Sequence, residues 1–161
     1  MGYQVLSWRD FGEALAALSG ALTGLLFVAV SIKSDVLARS RHLGGRAAQT
    51  LVLFMTSVIV SVVLVAPQPR PALGPELIAT AVASAVALII FNRRAGRVSK
   101  TWAELYLDRA SPNLITALMV GVAGLTFILR AGGGLYWLVP AVVASLAGGV
   151  INAWLFLIKV D

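Results

Sequence analysis

Five long apolar stretches, separated by short polar, proline-rich or glycine-rich connections, make up most of this chain. The first, from Phe11 to Ile32, carries one carboxylate, Glu13, near its start and no further charge before Lys33. As a helix rising ~1.5 Å per residue it reaches about 33 Å, enough for a ~30 Å hydrocarbon layer. The second covers 47–66 and stops at Pro67, because Pro67, Pro69 and Pro71 cannot continue a helix. The third, 75–92, opens with Pro75 in its first turn, where no N–H is needed. The fourth, 112–130, opens at Pro112, and Gly132, Gly133 and Gly134 then turn the chain into the fifth, 135–158, with Pro140 in its early turns. The pattern predicts an all-α polytopic membrane helix bundle: five transmembrane helices in a single domain over 1–161, with polar loops at 33–46 and 93–111.

The connections are read in the same way. Residues 1–10 lack the basic start and short cleavable apolar core of a signal peptide and form a short tail, with Trp8 at the headgroup level. In the first loop the Gly44 and Gly45 pair marks a polar turn. In the second, Thr101 followed by Glu104 fits a capping box, so a short surface helix is expected from Trp102 to about Arg109.

On a 100° wheel the first helix divides sharply. Glu13, Ala16, Gly20, Thr23, Gly24 and Ser31 share one arc, and Ala21, Leu22, Leu25, Val30 and Ile32 lie across from it. In a bilayer the small face lets other helices approach closely, and Gly20 with Gly24 has the GxxxG spacing, so this helix is expected at the centre of the bundle. Gly121, Gly124, Gly148 and Asn152 are further candidates for helix packing. Uncharged polar residues form stripes: Thr50, Ser57 and Ser61 on the second span, Thr80 and Ser84 following Glu76 on the third, Ser145 and Asn152 on the fifth. Such hydroxyls hydrogen-bond across helices at ~0.6 kcal/mol each or back to their own carbonyls. The other use open to them is a water-filled path along Glu13, Thr23, Ser57, Ser61, Thr80 and Ser84. Glu13 itself has two readings, a shallow carboxylate reaching water or Arg9, or an intramembrane acid that binds a cation or proton.

Composition agrees with a membrane class, with 59% of residues hydrophobic and only 12% charged. Thirteen Lys and Arg against seven Asp and Glu would suit nucleic acid, but their positions give another reason for the excess. Ten of them (Lys33, Arg39, Arg41, Arg46, Arg93, Arg94, Arg97, Lys100, Arg109 and Lys159) fall in the loops after spans one and three and at the C-terminus. Only Arg9, Arg70 and Arg130 fall on the other side. Positive loops stay cytoplasmic, which puts the N-terminus outside and the C-terminus inside. The bias is too lopsided for dual insertion, so any homo-oligomer is expected to be parallel. Arg93, Arg94, Arg97 and Trp102 become candidate contacts to anionic lipid or a protein partner, at ~1 kcal/mol per nearby cation. Without cysteine, with His42 alone, and without HExxH, GxSxG, a phosphate loop or a pair of buried acids, the chain is expected to be non-enzymatic, with no cofactor and no metal.

Trp8 with Phe11, the run from Ala21 to Ser31, Gly45 with Arg46, Leu135-Tyr136-Trp137 and Asn152-Ala153-Trp154 together resemble a group of small bacterial multispan membrane proteins, sometimes labelled modulators of the FtsH membrane protease. The resemblance spans the whole chain and implies a multispan protein of the bacterial plasma (inner) membrane. It supplies no catalytic residues. Two functions are compatible with these features. One is an accessory protein that binds another membrane protein through small-residue helix faces and basic cytoplasmic loops. The alternative is a parallel homo-oligomeric channel or pore for small ions, with Glu13 at its outer mouth.

Overall fold

The computed structural model describes residues 2–32, 41–94 and 112–158, and helices account for nearly all of them. They are α1 (Arg9–Ile32), α2 (Arg41–Val65), α3 (Arg70–Arg94), α4 (Pro112–Leu129) and α5 (Leu138–Ile158). Single 3-10 turns, Val5–Trp8 and Gly134–Trp137, lead into α1 and α5. There is no strand among the described residues. Among the described residues four segments are long and apolar enough to cross a membrane: Val5–Ile32, Ala47–Val65, Arg70–Phe91 and Gly134–Ile151. Asn113–Leu129 is a shorter apolar helix. The chain is therefore an all-helical bundle of membrane-spanning character.

Several helix ends differ from the expected ones. α3 begins at Arg70, so Pro71 takes the first turn and Pro75 lies inside the helix. Pro75 forgoes only the bond to the carbonyl four residues back, which the rest of a 25-residue helix tolerates. α2 likewise starts at Arg41, running through Gly44 and Gly45 in place of a turn there. Glycine weakens a helix by about 1 kcal/mol per residue but does not block it as proline does. The expected surface helix after Trp102 falls outside the described residues.

Small residues set the helix crossings. A Cβ at Gly12 would stand 3.0 Å from Leu64 Cβ and Val65 Cγ2, so α1 lies close against the end of α2. Between α3 and α4 the contact is reciprocal: a Cβ on Gly124 would come within 2.8 Å of the Gly74 carbonyl, and one on Gly74 within 2.5 Å of Ile128 Cγ1. Between α2 and α5 the Phe54 ring lies directly against Gly149. The core these crossings enclose contains Leu15, Val60, Leu64, Leu73, Leu77, Val120, Leu135 and Leu138, all buried.

The centre of the bundle is α2, which packs against α1, α3 and α5, and α1 is peripheral, seated on α2. α1 buries Gly12, Leu15, Ser19 and Leu26, a stripe displaced from the small polar arc expected to face inward. The first residues are also more than a tail. The Leu135 N–H donates to the Gly2 carbonyl at 3.0 Å, and the Gly133 N–H donates to Tyr3 Oη at 3.1 Å. Trp8 is buried between Phe11 and Tyr136 in edge-on contacts, with ring centroids 5.4 and 5.2 Å away. The N-terminus, the α2–α3 connection and the α4–α5 turn thus share one end of the bundle.

Candidate functional site

The polar residues of the spans line neither of the two clefts seen among the described residues. Some are joined in pairs that tie two helices, and others bond back to carbonyls of their own helix. Thr56 Oγ1 donates to the Val52 carbonyl at 2.7 Å and sits 2.7 Å from Ser84 Oγ, linking α2 to α3. Ser145 Oγ on α5 donates to the Leu53 carbonyl and lies 2.9 Å from Ser57 Oγ, linking α5 to α2. Ser61 donates to the Val58 carbonyl, Thr80 to that of Glu76, Ser19 to that of Leu15, and Thr23 to that of Ser19. All of these hydroxyl residues except the half-buried Thr23 are buried. In an apolar medium each such bond relieves an otherwise unpartnered donor, and the close glycine crossings bring the helices near enough to form them. Asn113, near the start of α4, is also buried, with its Oδ1 unpartnered among the described residues.

Glu13 lies apart from these pairs. It is more than half exposed and accepts a 3.1 Å hydrogen bond from Arg9 one turn earlier, the ion pair found among the described residues. An exposed i,i+4 pair of this kind contributes well under about 1 kcal/mol. Of the six residues of the expected path, Ser57, Ser61, Thr80 and Ser84 are buried inside the bundle, Thr23 is half-buried on α1, and Glu13 is on its surface.

The packing candidates separate into two groups. Gly121, half-buried, and Gly124 face α3, and Gly148 is buried in α5. Gly20 and Gly24 are exposed, and a Cβ built on either meets nothing within 4 Å. Around them Ala16, Ala17, Ala21 and Phe27 are also exposed, leaving most of the α1 surface without a partner among the described residues. Asn152 falls in α5 and Arg93 and Arg94 end α3, but their side chains lie outside the described set, as do Arg97 and Trp102 altogether. Sequence reasoning did not single out Gly12, Gly74 or Thr56. Gly12 and Gly74 each lie a few residues from a span boundary, which hides them among connection glycines, and Thr56 is adjacent to the stripe that contained Ser57.

These features define a membrane-type helical bundle with one peripheral helix open along its small-residue face. No protein-family model, curated protein or solved structure matches the chain.

Proposed function

We propose that this chain is a five-span, non-enzymatic accessory protein of the bacterial plasma membrane that docks onto another membrane protein through the open face of α1, with its basic loops on the cytoplasmic side. The observation that carries the reading is the pair Gly20 and Gly24, spaced for close helix approach and with nothing within 4 Å of either. Lipid tails fill a glycine groove poorly, whereas a second helix gains dispersion contacts along its length there. α4 is the fifth span of this proposal, its 18 residues reaching about 27 Å at ~1.5 Å each. The family resemblance makes a membrane-embedded protease one partner to look for.

Replacing Gly20 and Gly24 together with leucine should leave the melting of the isolated chain unchanged or raised, since the added atoms enter open space and leucine favours a helix more than glycine does. The same variant should weaken partner capture about tenfold, measured by cross-linking from a cysteine at the exposed Ala17 in native membranes. A cross-link to a second copy of the chain would replace the accessory reading with the homo-oligomer, and no cross-link at all would end both.

Orientation has its own test. A cysteine at Gln68 or at the exposed Ala131 should react with an impermeant reagent in intact cells, and one at Ser40 should not. The reverse pattern would invert the proposed topology. Ala131 serves better than Gly133, whose φ of 108° disfavours any side chain.

A further inference from the structure

A cleft of about 430 Å³ opens at the end of the bundle that holds the N-terminus, bounded by Tyr3, Gln4, Arg70, Pro71, Phe127, Ile128 and Arg130. Three segments distant in sequence form it. The hydrogen bonds from Leu135 to Gly2 and from Gly133 to Tyr3 fold the N-terminal residues over the start of α3 and the end of α4. The Tyr3 ring packs 6.3 Å from that of Phe127, which forms part of an apolar wall with Pro71 and Ile128.

The polar chemistry of this cleft has one sign. Arg70 and Arg130 bring guanidinium groups, which only donate. Tyr3 Oη already accepts from the Gly133 N–H, which leaves its own proton to give. Gln4 Oε1 faces Ser7 Oγ at 3.5 Å, so its amide N–H groups are the ones left over. The N-terminus of the 25-residue α3 adds the positive end of its dipole at Arg70. Among the described residues no acidic side chain lines the cleft, and the carboxylate of Glu13 is held by Arg9. Among the described residues neither Arg70 nor Arg130 forms an ion pair.

Arg130 supplies a second argument. Its φ is 52°, the one non-glycine residue with positive φ among those described, at the end of α4 and one residue short of Gly132, Gly133 and Gly134, which all share that sign. Glycine would take this conformation freely, whereas arginine does so against a clash of its own Cβ with the carbonyl. The guanidinium it places in the cleft is what arginine adds there.

We propose that this cleft is a phosphate-binding site in which Arg70 and Arg130 clamp the oxyanion and Tyr3 and Gln4 donate to its remaining oxygens. Two forked cations match the charge and planar edges of a phosphate group better than those of a single carboxylate. The group can belong to a lipid headgroup, whose tails would follow the wall of Phe127 and Ile128, or to free phosphate. The site shares no residue with the open face of α1, so it stands or falls independently of the docking reading.

The test uses the full chain in mild detergent. Native mass spectrometry reads the retention of phosphatidylglycerol against diacylglycerol, which has the same tails and no phosphate. A parallel thermal-shift series compares inorganic phosphate with chloride at equal ionic strength. Phosphatidylglycerol should be held at least about tenfold more tightly than diacylglycerol, and R70Q and R130Q should each reduce that preference about tenfold. R130G guards against misfolding: glycine suits φ 52°, so this variant should melt no lower than the parent and still lose binding. R9Q, which removes a cation held by Glu13 outside the cleft, should leave binding intact. A thermal shift by inorganic phosphate, absent in R130G, would assign the site to free phosphate, and selectivity confined to the lipid would assign it to a headgroup. Binding indifferent to R70Q and R130G, or equally weakened by R9Q, or no preference for phosphate in either series, would overturn the site.

Discussion

Alanine at Gly124 should destabilise the bundle by about 2–3 kcal/mol, while alanine at Gly121, one turn earlier on the same helix, should leave it unchanged or more stable by up to about 1 kcal/mol. The contrast follows from what the new methyl group meets. At position 124 it would stand 2.8 Å from the Gly74 carbonyl oxygen and 3.1 Å from the Ile78 nitrogen, both backbone atoms of α3. Backbone inside a helix cannot rotate away as a side chain can, so α3 and α4 must separate and lose contact along their whole crossing. At position 121 the nearest neighbour is Ala81 Cβ at 3.5 Å, an ordinary contact, and the substitution gains the helix propensity that glycine lacks. Denaturant titration of the purified variants in mild detergent reads both. Equal losses at the two positions would show that α3 and α4 do not cross where Gly74 meets Gly124.

The all-helical class and the order of the apolar helices were legible because those features depend on sharp local signals. Pro67, Pro69 and Pro112 act on the backbone of their own turn, and Gly132, Gly133 and Gly134 adopt the positive φ that a tight connection needs. The face by which a helix packs was less legible, and α1 shows why. A soluble helix buries its apolar stripe and exposes its polar one, so a wheel separates inside from outside. In a bilayer the outside is as apolar as the core, and the wheel shows only which residues share a face. Gly12, Leu15, Ser19 and Leu26 face α2, while residues of the same kinds on the same helix, Leu18, Leu25, Gly20 and Gly24, are exposed, so neither hydropathy nor size marks the buried set. What selects them is the match to Ser61, Leu64 and Val65 opposite Gly12, a property of two helices together.

The same limit applied to the polar residues. That Ser57, Ser84 and Ser145 lie on helices was readable, but the pairing of Ser57 with Ser145, 88 residues apart, depends on the α2–α5 crossing. Arg70 and Arg130 were read only as minority charges of one side, because their convergence depends on an N-terminal segment folded over both α3 and α4. Local chemistry thus fixed the elements, and the crossings, set by where glycine permits close approach, fixed which functional groups meet.

At the α2–α5 crossing, the loss caused by Gly149→Ala should nearly vanish when Phe54 is also alanine. Phe54 is only 2% exposed and its ring lies directly on Gly149, so a methyl group there has no space unless the ring leaves its packed position. Gly149→Ala alone is expected to cost about 2 kcal/mol as overpacking. Phe54→Ala alone should also cost about 2 kcal/mol. In a soluble core the figure would be nearer 3–5, but part of that is transfer from water, a step that a helix already in lipid does not repeat. With both changes the methyl group enters the space the ring has left, giving a favourable coupling of about 2 kcal/mol in the double-mutant cycle. The bonds of Ser145 to Ser57 and to the Leu53 carbonyl, both at 2.9 Å, lie one turn away and require the same close approach. Ser145→Ala should therefore remove only about 0.6 kcal/mol by itself. In the Gly149→Ala background, where the helices are already apart, it should remove almost nothing. Additive effects at positions 54 and 149 would mean that the ring and the glycine do not touch, and that something other than this contact sets the distance between α2 and α5.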